Sequence, residues 1–376
     1  MSILAGARVV TPDQILYPGW IEIIDGTIAA VGTGRSPSGP TDDLGGAWVM
    51  PGFVDIHMHG GGGHDAARSP EDLSGAVRFH LTHGTTSTLV SLVTAPATDL
   101  REQLGWIAEA RLTHPTVIGA HLEGPFLSAA RCGAQNPAHL QAPDTALFTA
   151  LLTAARSALR LITVAPELPG SSAVIRAARA AGVMVALGHS DATYDQAMAA
   201  IEAGATVATH LYNGMRPLGH REPGLAGAAL DAALFCEMIN DGHHLHPAVV
   251  RMTSALLPHR MVLVTDAVDA AGGVDGPTAL GGQSVNVVDG VARLAHNGAL
   301  AGSTLTMETA VRRSIVDAGL DVQTVARAAA TTPARAIGID GRTGVIRVGL
   351  AADLVVLDHR FGVQKVLLAG EALLPQ

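Results

Sequence analysis

Eight short apolar runs that alternate with helical patterns constrain the fold of this chain more than any other feature. The runs that predict strands cover residues 53–56, 87–93, 117–122, 161–164, 183–187, 206–209, 235–239 and 261–264. Amphipathic segments, among them 72–83, 97–111 and 173–181, lie between these runs. Such alternation over roughly 280 residues is typical of an α/β protein with a (β/α)₈ barrel. We therefore predict a TIM-like barrel in the middle of the chain.

Both ends of the chain have short β-type runs without intervening helical segments. Short β-type runs at 7–10, 20–24, 27–31 and 48–49 are separated by turn signals such as Asp25-Gly26. Similar runs follow at 344–346, 352–357 and 363–368. We expect residues 1–50 and 342–376 to pair into one small β-sandwich domain. The barrel would then be residues 51–341, inserted between the two ends.

Composition excludes several classes of function. The 376 residues have a net charge of −9, whereas a nucleic-acid surface needs clustered basic residues. We expect no membrane span, because no apolar stretch reaches the ~20 residues that a span requires. The two cysteines, Cys132 and Cys236, form no disulfide framework, and the first ten residues do not resemble a signal peptide. These features favour a cytoplasmic location.

Polar residues stand where the predicted strands end. In a barrel the carboxyl ends of all eight strands surround one mouth, where barrel active sites lie. His57 and His59 are two apart at the end of the first strand, so their side chains share a face. Four histidines and two carboxylates form a ligand set suited to Zn²⁺ or Fe²⁺, with Mn²⁺ or Co²⁺ as substitutes. The six residues are His57, His59, Glu123, His189, His210 and Asp266.

A single histidine at a strand end is usually a structural residue, and the chain has 17 histidines. Six ligand-type residues at five strand ends are hard to explain in that way. We expect six other histidines, at positions 64, 80, 83, 220, 243 and 246, to be structural or at the surface. Cys132 is either a small loop residue or a thiolate ligand or redox-sensitive residue of a lid over the mouth. Cys236 lies in an apolar run and is expected to pack in the core.

The arrangement of these residues resembles the metal-dependent amidohydrolase superfamily. Many of its binuclear members have a carboxylated lysine on strand four that bridges the metals, but the only lysine of this chain is Lys365. Dihydroorotases, hydantoinases and ureases are therefore disfavoured. The alternative bridging carboxylate is Glu123, in the sequence HLEGPF at 121–126.

Seven motifs together resemble the N-acetylglucosamine-6-phosphate deacetylase family, in the family's order. They are HLEGPF at 121–126, LGHS at 187–190, THLYN at 209–213, REPGL at 221–225, DGHH at 241–244, VTDA at 264–267 and LAGS at 300–303. The resemblance implies a barrel of the metal-dependent hydrolase type with one or two divalent ions. It assigns Glu123, His189 and His210 to the metal site that members share, and His57 and His59 to an optional second site.

The same resemblance implies substrate contacts. Asp266 matches the catalytic aspartate, and it is also one of the predicted metal ligands. Arg221 and His244 match residues that reach the phosphate from the partner subunit of a homodimer. The other positions that match substrate-binding residues are Ala134, Gln135, Asn213, Gly214, Leu300, Ala301 and Gly302.

Two positions depart from the family's pattern. Gln135 stands where the family usually has a histidine, and a glutamine can donate a hydrogen bond to substrate but does not ionise near neutral pH. Gly214 stands where alanine is common, a mild change if that contact is made through the backbone.

The resemblance implies hydrolysis of the acetamide of N-acetyl-D-glucosamine 6-phosphate to D-glucosamine 6-phosphate and acetate, in amino-sugar catabolism and cell-wall recycling. Metal-bound hydroxide would attack, with Asp266 as general base and then general acid. The alternatives are a deacetylase of N-acetylgalactosamine 6-phosphate or of another N-acyl substrate. A non-catalytic assembly protein of this fold is disfavoured, because the ligand set and Asp266 are intact.

Overall fold

The strands of the largest parallel sheet are hydrogen-bonded to one another in the order of the chain. The computed structural model describes residues 1–273 and 275–373. The strands in chain order are β1 (Ser2–Val10), β2 (Ile15–Ile24), β3 (Thr27–Thr33), β4 (Thr41–Asp43), β5 (Trp48–Pro51), β6 (Phe53–Met58), β7 (Gly60–Gly61), β8 (His64–Asp65), β9 (Thr85–Val93), β10 (Val117–Glu123), β11 (Leu159–Val164), β12 (Met184–Leu187), β13 (Val207–Ala208), β14 (Phe235–Ile239), β15 (Met261–Val264), β16 (Gly276–Leu280), β17 (Gln283–Val288), β18 (Val291–Leu294), β19 (Leu354–Leu357), β20 (Val363–Leu368) and β21 (Glu371–Leu373).

Helices follow the parallel strands one by one. They are α1 (Pro70–Thr82), α2 (Ala97–Thr113), α3 (Thr145–Ala154), α4 (Ser171–Ala180), α5 (Tyr194–Ala203), α6 (Gly224–Asp231), α7 (Pro247–Leu256), α8 (Met307–Val316), α9 (Val322–Ala326) and α10 (Thr332–Ala336), with a π-helical turn at Arg327–Thr331 between the last two and short 3₁₀ turns at Ala129–Arg131 and Pro137–His139. Local sequence explains several helix starts. At α5, for example, Thr193 and Gln196 form a capping box, and Gly204 follows the last turn.

The parallel sheet has eight strands, β6 and β9 to β15, and it is a nearly closed barrel. Its first and last strands meet where Met58 pairs with Ala267 and the Asp266 amide donates to the His57 carbonyl at 2.8 Å. The prediction of a (β/α)₈ barrel is confirmed, and each predicted strand overlaps an observed one. Parallel barrel strands are covered on both faces, which explains their nearly continuous apolar runs.

Apolar residues of the barrel strands share one buried cluster. Val54, Leu89, Leu161, Val207 and Val262 come from five different strands, and all are fully buried in the same cluster. A second, larger cluster lies between the strands and the helices. The barrel is thus a packed core.

The two chain ends form one sheet in the order β21-β20-β19-β5-β1-β2-β3, with β4 on β1. Strand β19 pairs antiparallel with β5, so the two ends are joined directly by backbone hydrogen bonds. The predicted strand at 344–346 is wrong: Thr331 Oγ1 donates to the Gly344 carbonyl, and Gly344 has a φ of 97°. Those residues form turns in place of a sheet ladder. The domain boundaries near residues 50 and 342 stay a prediction.

A three-stranded antiparallel sheet, β16 to β18, follows the last barrel strand and was not predicted. We call it the roof sheet. Its inner residues Leu280, Val285 and Leu294 pack on Val93 and Val268 beside the barrel mouth. The Gln283 side chain donates from Nε2 to the Ala134 carbonyl at 2.6 Å, which ties the roof sheet to the loop after β10.

Among residues 1–273 and 275–373, the structure contains no helix long and apolar enough to cross a membrane.

Candidate metal centre and active site

The six residues predicted as ligands converge at the barrel mouth. Each lies within the last two residues of a barrel strand or one or two residues after the strand ends. None of the six is more than 7% exposed. They divide into two overlapping groups whose ligand atoms lie within 4.8 Å of one another. We call them the three-ligand site (Glu123, His189, His210) and the four-ligand site (His57, His59, Glu123, Asp266).

In the three-ligand site, two imidazoles meet one carboxylate oxygen. Glu123 Oε1 lies 2.9 Å from His189 Nε2 and 3.0 Å from His210 Nε2. The two Nε2 atoms are 3.1 Å apart. These three atoms therefore face one point from three different strand ends.

In the four-ligand site, two further imidazoles lie between two carboxylates. His59 Nε2 lies 3.3 Å from Glu123 Oε2 and 3.2 Å from Asp266 Oδ1. His57 Nε2 lies 3.4 Å from the same Asp266 oxygen and 3.2 Å from His59 Nε2. Glu123 belongs to both sites and presents a different oxygen to the nearest histidine of each.

All four imidazoles are oriented by an acceptor behind the ring. Each donates its Nδ1–H at about 3 Å. His57 donates to Glu237 Oε2 and His59 to the Ser91 carbonyl. His189 donates to the Arg131 carbonyl and His210 to the Asn213 carbonyl. The Nε2 lone pairs consequently point inward, as in histidine ligands held by outer partners. This buried nitrogen and oxygen donor set fits a divalent cation.

The electrostatics of the site favour positive charge at its centre. Burial lowers the pKa of His57 and His59, but Asp266 and Glu123 outweigh it, so the pKa of His57 lies well above its usual value and that of His59 rises to about 9. Conversely, burial raises the pKa of Glu123 and Asp266, but His57 outweighs it and both carboxyl pKa values end below normal. A bound cation would supply the same charge.

Three of the six residues have left-handed backbone conformations. The φ angles of His189, His210 and Asp266 are 46°, 26° and 48°. Such conformations are uncommon for residues with a Cβ and cost of order 1–3 kcal/mol each. At these three strand ends they coincide with side chains that turn into the mouth.

Sequence reasoning missed two buried carboxylates beneath the mouth, Glu237 and Asp55. Glu237 accepts from His57 Nδ1 at 2.9 Å and from the His210 amide at 3.2 Å. Asp55 accepts from Thr265 Oγ1 at 2.6 Å, and its burial raises its pKa to about 6. The detectable signal was a charged residue inside a predicted apolar strand, since such a residue is seldom buried without a partner.

His121, quoted only as part of a motif, is fully buried and packs edge-on against His57 with ring centroids 4.6 Å apart. Ser91 Oγ lies 3.0 Å from its Nδ1 and Thr163 Oγ1 lies 2.8 Å from its Nε2. Burial, followed by the neighbouring His57, holds the pKa of His121 well below its usual value. It is therefore a neutral support under the site.

A cavity of about 240 Å³ opens above the two sites. Its walls include the ligands His59, Glu123, His189, His210 and Asp266 and the predicted substrate-binding residues Ala134, Gln135, Asn213, Gly214, His244, Leu300 and Gly302. Ala301 is fully buried and does not line the cavity. Cys132 is partly exposed and is also absent from the walls, so its lid or ligand role stays a prediction.

Arg221 and His244 are placed differently. Arg221 is exposed and outside the cavity walls of its own chain. His244 lines the cavity of its own chain, and its expected contribution to a neighbouring site stays a prediction. Its Nδ1 donates to Asp241 Oδ2 at 2.7 Å, and this bond aims the ring from the loop after β14.

The two departures from the family's pattern have distinct geometries. Gln135 directs its amide to Glu123 Oε2 at 2.7 Å, so at least one of its donors is used within the protein and not on substrate. Gly214 has a φ of 58°, and a Cβ there would lie 3.0 Å from His189 Nδ1. Glycine therefore permits a close approach of this backbone to a predicted ligand.

His80, expected to be structural, is fully buried and donates from Nε2 to the Gly60 carbonyl at 2.8 Å. Burial lowers its pKa from 6.5 to about 4. Below pH 6.5 the unfolded chain takes up a proton at His80, whereas the folded protein does so only near pH 4. The contribution of neutral His80 to the unfolding free energy is therefore full above pH 6.5 and is lost as the pH falls from 6.5 through 4.

We expect His80→Gln, which keeps a donor but does not titrate, to weaken the pH dependence of folding. Between pH 6.5 and 4.5 its unfolding free energy should fall by about 2–3 kcal/mol less than that of the wild type. Urea titrations in chelator, with the exposed His259→Gln as control, measure the difference. Parallel pH profiles of wild type and His80→Gln would refute this role.

Comparison with known proteins agrees with the fold and the site. The model of the amidohydrolase family matches residues 48–373. The N-acetylgalactosamine-6-phosphate deacetylase of Escherichia coli O157:H7 is 36% identical, covering 98% of each chain. The N-acetylglucosamine-6-phosphate deacetylase of Bos taurus is 38% identical, covering 88% of this chain and 84% of the relative.

A solved structure is more similar still. It is a mutant N-acetyl-D-glucosamine-6-phosphate deacetylase from Mycobacterium smegmatis in complex with N-acetyl-D-glucosamine-6-phosphate. It is 42% identical to this chain with a TM-score of 0.95, covering 99% of this chain and 98% of that one. The barrel, its buried histidines and carboxylates and these matches define an enzyme class: the chain belongs to the amidohydrolase family. Within that family it belongs with the N-acetylglucosamine-6-phosphate deacetylases.

Proposed function

We propose that this chain hydrolyses the acetamide of N-acetyl-D-glucosamine 6-phosphate to D-glucosamine 6-phosphate and acetate. The observation that supports this most is the position of Asp266. Its Oδ1 lies 3.2 Å from His59 Nε2. Asp266 lines the same cavity as the three residues of the three-ligand site. A proton acceptor thus stands beside a cation site and in contact with space for a substrate.

A divalent cation, Zn²⁺ or Fe²⁺ by the donor set, is proposed as cofactor. Glu123, His189 and His210 would hold the obligatory ion. His57, His59 and Asp266, with the second oxygen of Glu123, would hold a second. When bound, such an ion lowers the pKa of water from 15.7 towards ~7 and polarises a carbonyl oxygen.

Asp266 moves the proton in this mechanism. Its pKa lies below normal, so the carboxylate is ionised at neutral pH and can accept a proton from the attacking water. The water oxygen bonds to the acetyl carbon, and the C–N bond then breaks. The same proton passes from Asp266 to the departing nitrogen, which yields the free amine and acetate.

Other wall residues would bind and orient the sugar phosphate. With its Nδ1 donating to Asp241, His244 would donate to a phosphate oxygen from Nε2 when both ring nitrogens carry a proton. The backbone at Asn213 and Gly214 and the segment of Leu300 and Gly302 face the same cavity from opposite loops. We propose that Arg221 of a second copy in a homodimer completes the phosphate site. The cytoplasmic location stays a prediction.

The direct test is acetate release by metal-replete enzyme, with and without chelator. We expect turnover of N-acetyl-D-glucosamine 6-phosphate that chelator abolishes. Removal of the phosphate from the substrate should lower kcat/KM by about 10²-fold, because two charge-assisted hydrogen bonds of about 1.5 kcal/mol each are lost.

N-acetyl-D-galactosamine 6-phosphate is the alternative substrate to compare, since one relative is named as its deacetylase. A higher kcat/KM on this C4 epimer would replace the proposed substrate but keep the chemistry. Activity only on an N-acyl amino acid would favour that alternative. No acetate from any of these substrates would leave the non-catalytic alternative standing.

Arg221→Ala tests the proposed dimer contribution. Loss of one charged hydrogen bond of about 1.5–3 kcal/mol should raise KM by about 10- to 100-fold with a smaller change in kcat. Steady-state kinetics measure the split. The exposed helical Arg101→Ala serves as a matched control with unchanged KM.

Subunit mixing then tells whether Arg221 acts across the interface. Arg221→Ala mixed with Asp266→Ala should regain activity, because a hybrid dimer has one site with an intact Asp266 and an intact Arg221 from the other copy. A mixture no more active than the separate variants after verified subunit exchange would place Arg221 on its own chain's site.

A further inference from the structure

The buried amide of Gln135 bridges the metal centre and the neighbouring strand end. Its Oε1 accepts from the Thr94 amide at 2.7 Å, and its Nε2 donates to Glu123 Oε2 at 2.7 Å. A backbone N–H can only donate, so the Thr94 contact decides which end of the amide is the oxygen. The Gln135 donor must then face the carboxylate. The side chain is only 3% exposed.

We propose that Gln135 is the positioning residue that holds the Glu123 carboxylate across the two cation sites. In the observed orientation Oε1 is nearest His189 and His210 and lies 3.5 Å from His57 Nε2, whereas Oε2 is nearest His59. The terminal torsion of a glutamate is broad, so the carboxylate plane needs an outside partner to define it. This inference rests on the proposed metal-dependent function of the site.

The position of the Gln135 amide explains why it should affect the four-ligand site more than the three-ligand site. Gln135 holds Oε2, the oxygen on the four-ligand side, whereas Oε1 lies within 3.0 Å of both histidines of the three-ligand site. Without the amide, Glu123 could rotate and direct both oxygens to the three-ligand site. The second ion would then lose the ligand that a bridging lysine supplies in related binuclear enzymes.

The loop that bears Gln135 is itself held in place. Its backbone N–H donates to the Cys132 carbonyl at 2.9 Å, and Gln283 of the roof sheet donates to the adjacent Ala134 carbonyl at 2.6 Å. Asn136 Nδ2 donates to the Gly281 carbonyl of the same sheet at 3.3 Å. The amide is thus preorganised, so little entropy is lost when it orients Glu123.

Gln135→Met tests this role, because methionine has similar length but no donor. Metal-free protein is titrated with Mn²⁺ in the absence of substrate, and bound ions per subunit and spin coupling between them are measured by metal analysis and EPR. We expect two coupled ions in the wild type. In Gln135→Met the affinity for the second ion should fall by about 10- to 100-fold, while that for the first changes by less than about threefold.

Two further variants sharpen the test. Gln135→His retains a donor of related reach and should recover most of the second-ion affinity, whereas the exposed Gln141→Met should bind as the wild type does. Unchanged Mn²⁺ binding in Gln135→Met, or an equal loss at both sites, would overturn the inference. A wild type that binds a single ion would also overturn it, yet would leave a one-ion deacetylase intact. Absence of acetate release with two ions bound would count against the proposed function alone.

Discussion

Replacement of Asp266 by alanine or asparagine is expected to lower kcat by roughly 10²- to 10⁴-fold. General acid–base catalysis by one positioned group contributes about this factor. Asp266 lines the cavity and belongs to the four-ligand site, where its Oδ1 lies 3.2 Å from His59 Nε2. Asparagine keeps its shape but can neither accept the proton of water nor deliver it to the amine.

The same variants should still bind substrate and the first ion. None of the three-ligand residues is changed, so metal analysis should find at least one ion per subunit. Calorimetry with N-acetyl-D-glucosamine 6-phosphate should give a Kd close to the wild-type KM. Asp195→Asn, at an exposed position of α5, is the matched control with unchanged kcat. An Asp266→Asn enzyme that keeps a tenth or more of the wild-type kcat would contradict the proposed role.

Replacement of Glu123 by alanine is expected to lower kcat/KM by at least about 10³-fold. Glu123 belongs to both cation sites, so its removal weakens both at once. Loss of the cation removes several kcal/mol of charge stabilisation, and about 4 kcal/mol corresponds to a 10³-fold change in rate. Metal content per subunit after dialysis should fall together with activity.

His59→Ala provides the comparison for Glu123→Ala. His59 belongs only to the four-ligand site, so this variant should keep one ion per subunit and more activity than Glu123→Ala. Turnover measured at increasing free metal concentration distinguishes the two. If His59→Ala loses all metal and Glu123→Ala keeps it, the proposed order of the two sites is reversed.

The barrel was predictable because its signal is local and repeated. Each buried parallel strand coincides with an apolar run of four to seven residues, and each run is followed by a segment with helical spacing. The roof sheet escaped prediction because its strands at 276–294 are short and only half-buried. Its burial depends on Val93 and Val268, which are remote in the sequence and whose proximity no local pattern reveals.

The residues that face the cation sites were predictable from the sequence, but the residues that hydrogen-bond to them from behind were not. His57, Glu123 and Asp266 stand at strand ends, and the barrel topology alone brings strand ends together. Glu237 was overlooked, although a glutamate in the strand Phe235–Ile239 is a visible anomaly. Its role depends on a bond to His57, which lies 180 residues away.

The side-chain directions at the mouth required the tertiary structure. The sequence suggested that Gln135 could donate to substrate, but its amide lies on Glu123, because the Thr94 amide selects the rotation. His244 lines the cavity of its own chain, and its role in a neighbouring site stays a prediction. The direction of Gln135 depends on a loop whose position is decided by contacts with the roof sheet.

By itself, the sequence determined the barrel and the six ligand-type residues, and its only lysine at position 365 excluded a lysine bridge between metals. Periodic burial and chain order are local properties, which explains why they could be inferred. Only the tertiary structure decided that Glu123 presents different oxygens to His59 and to His189 and that Gln135 donates to one of them. Those relations depend on distances of about 3 Å between residues of different strand ends, which no spacing along the chain encodes.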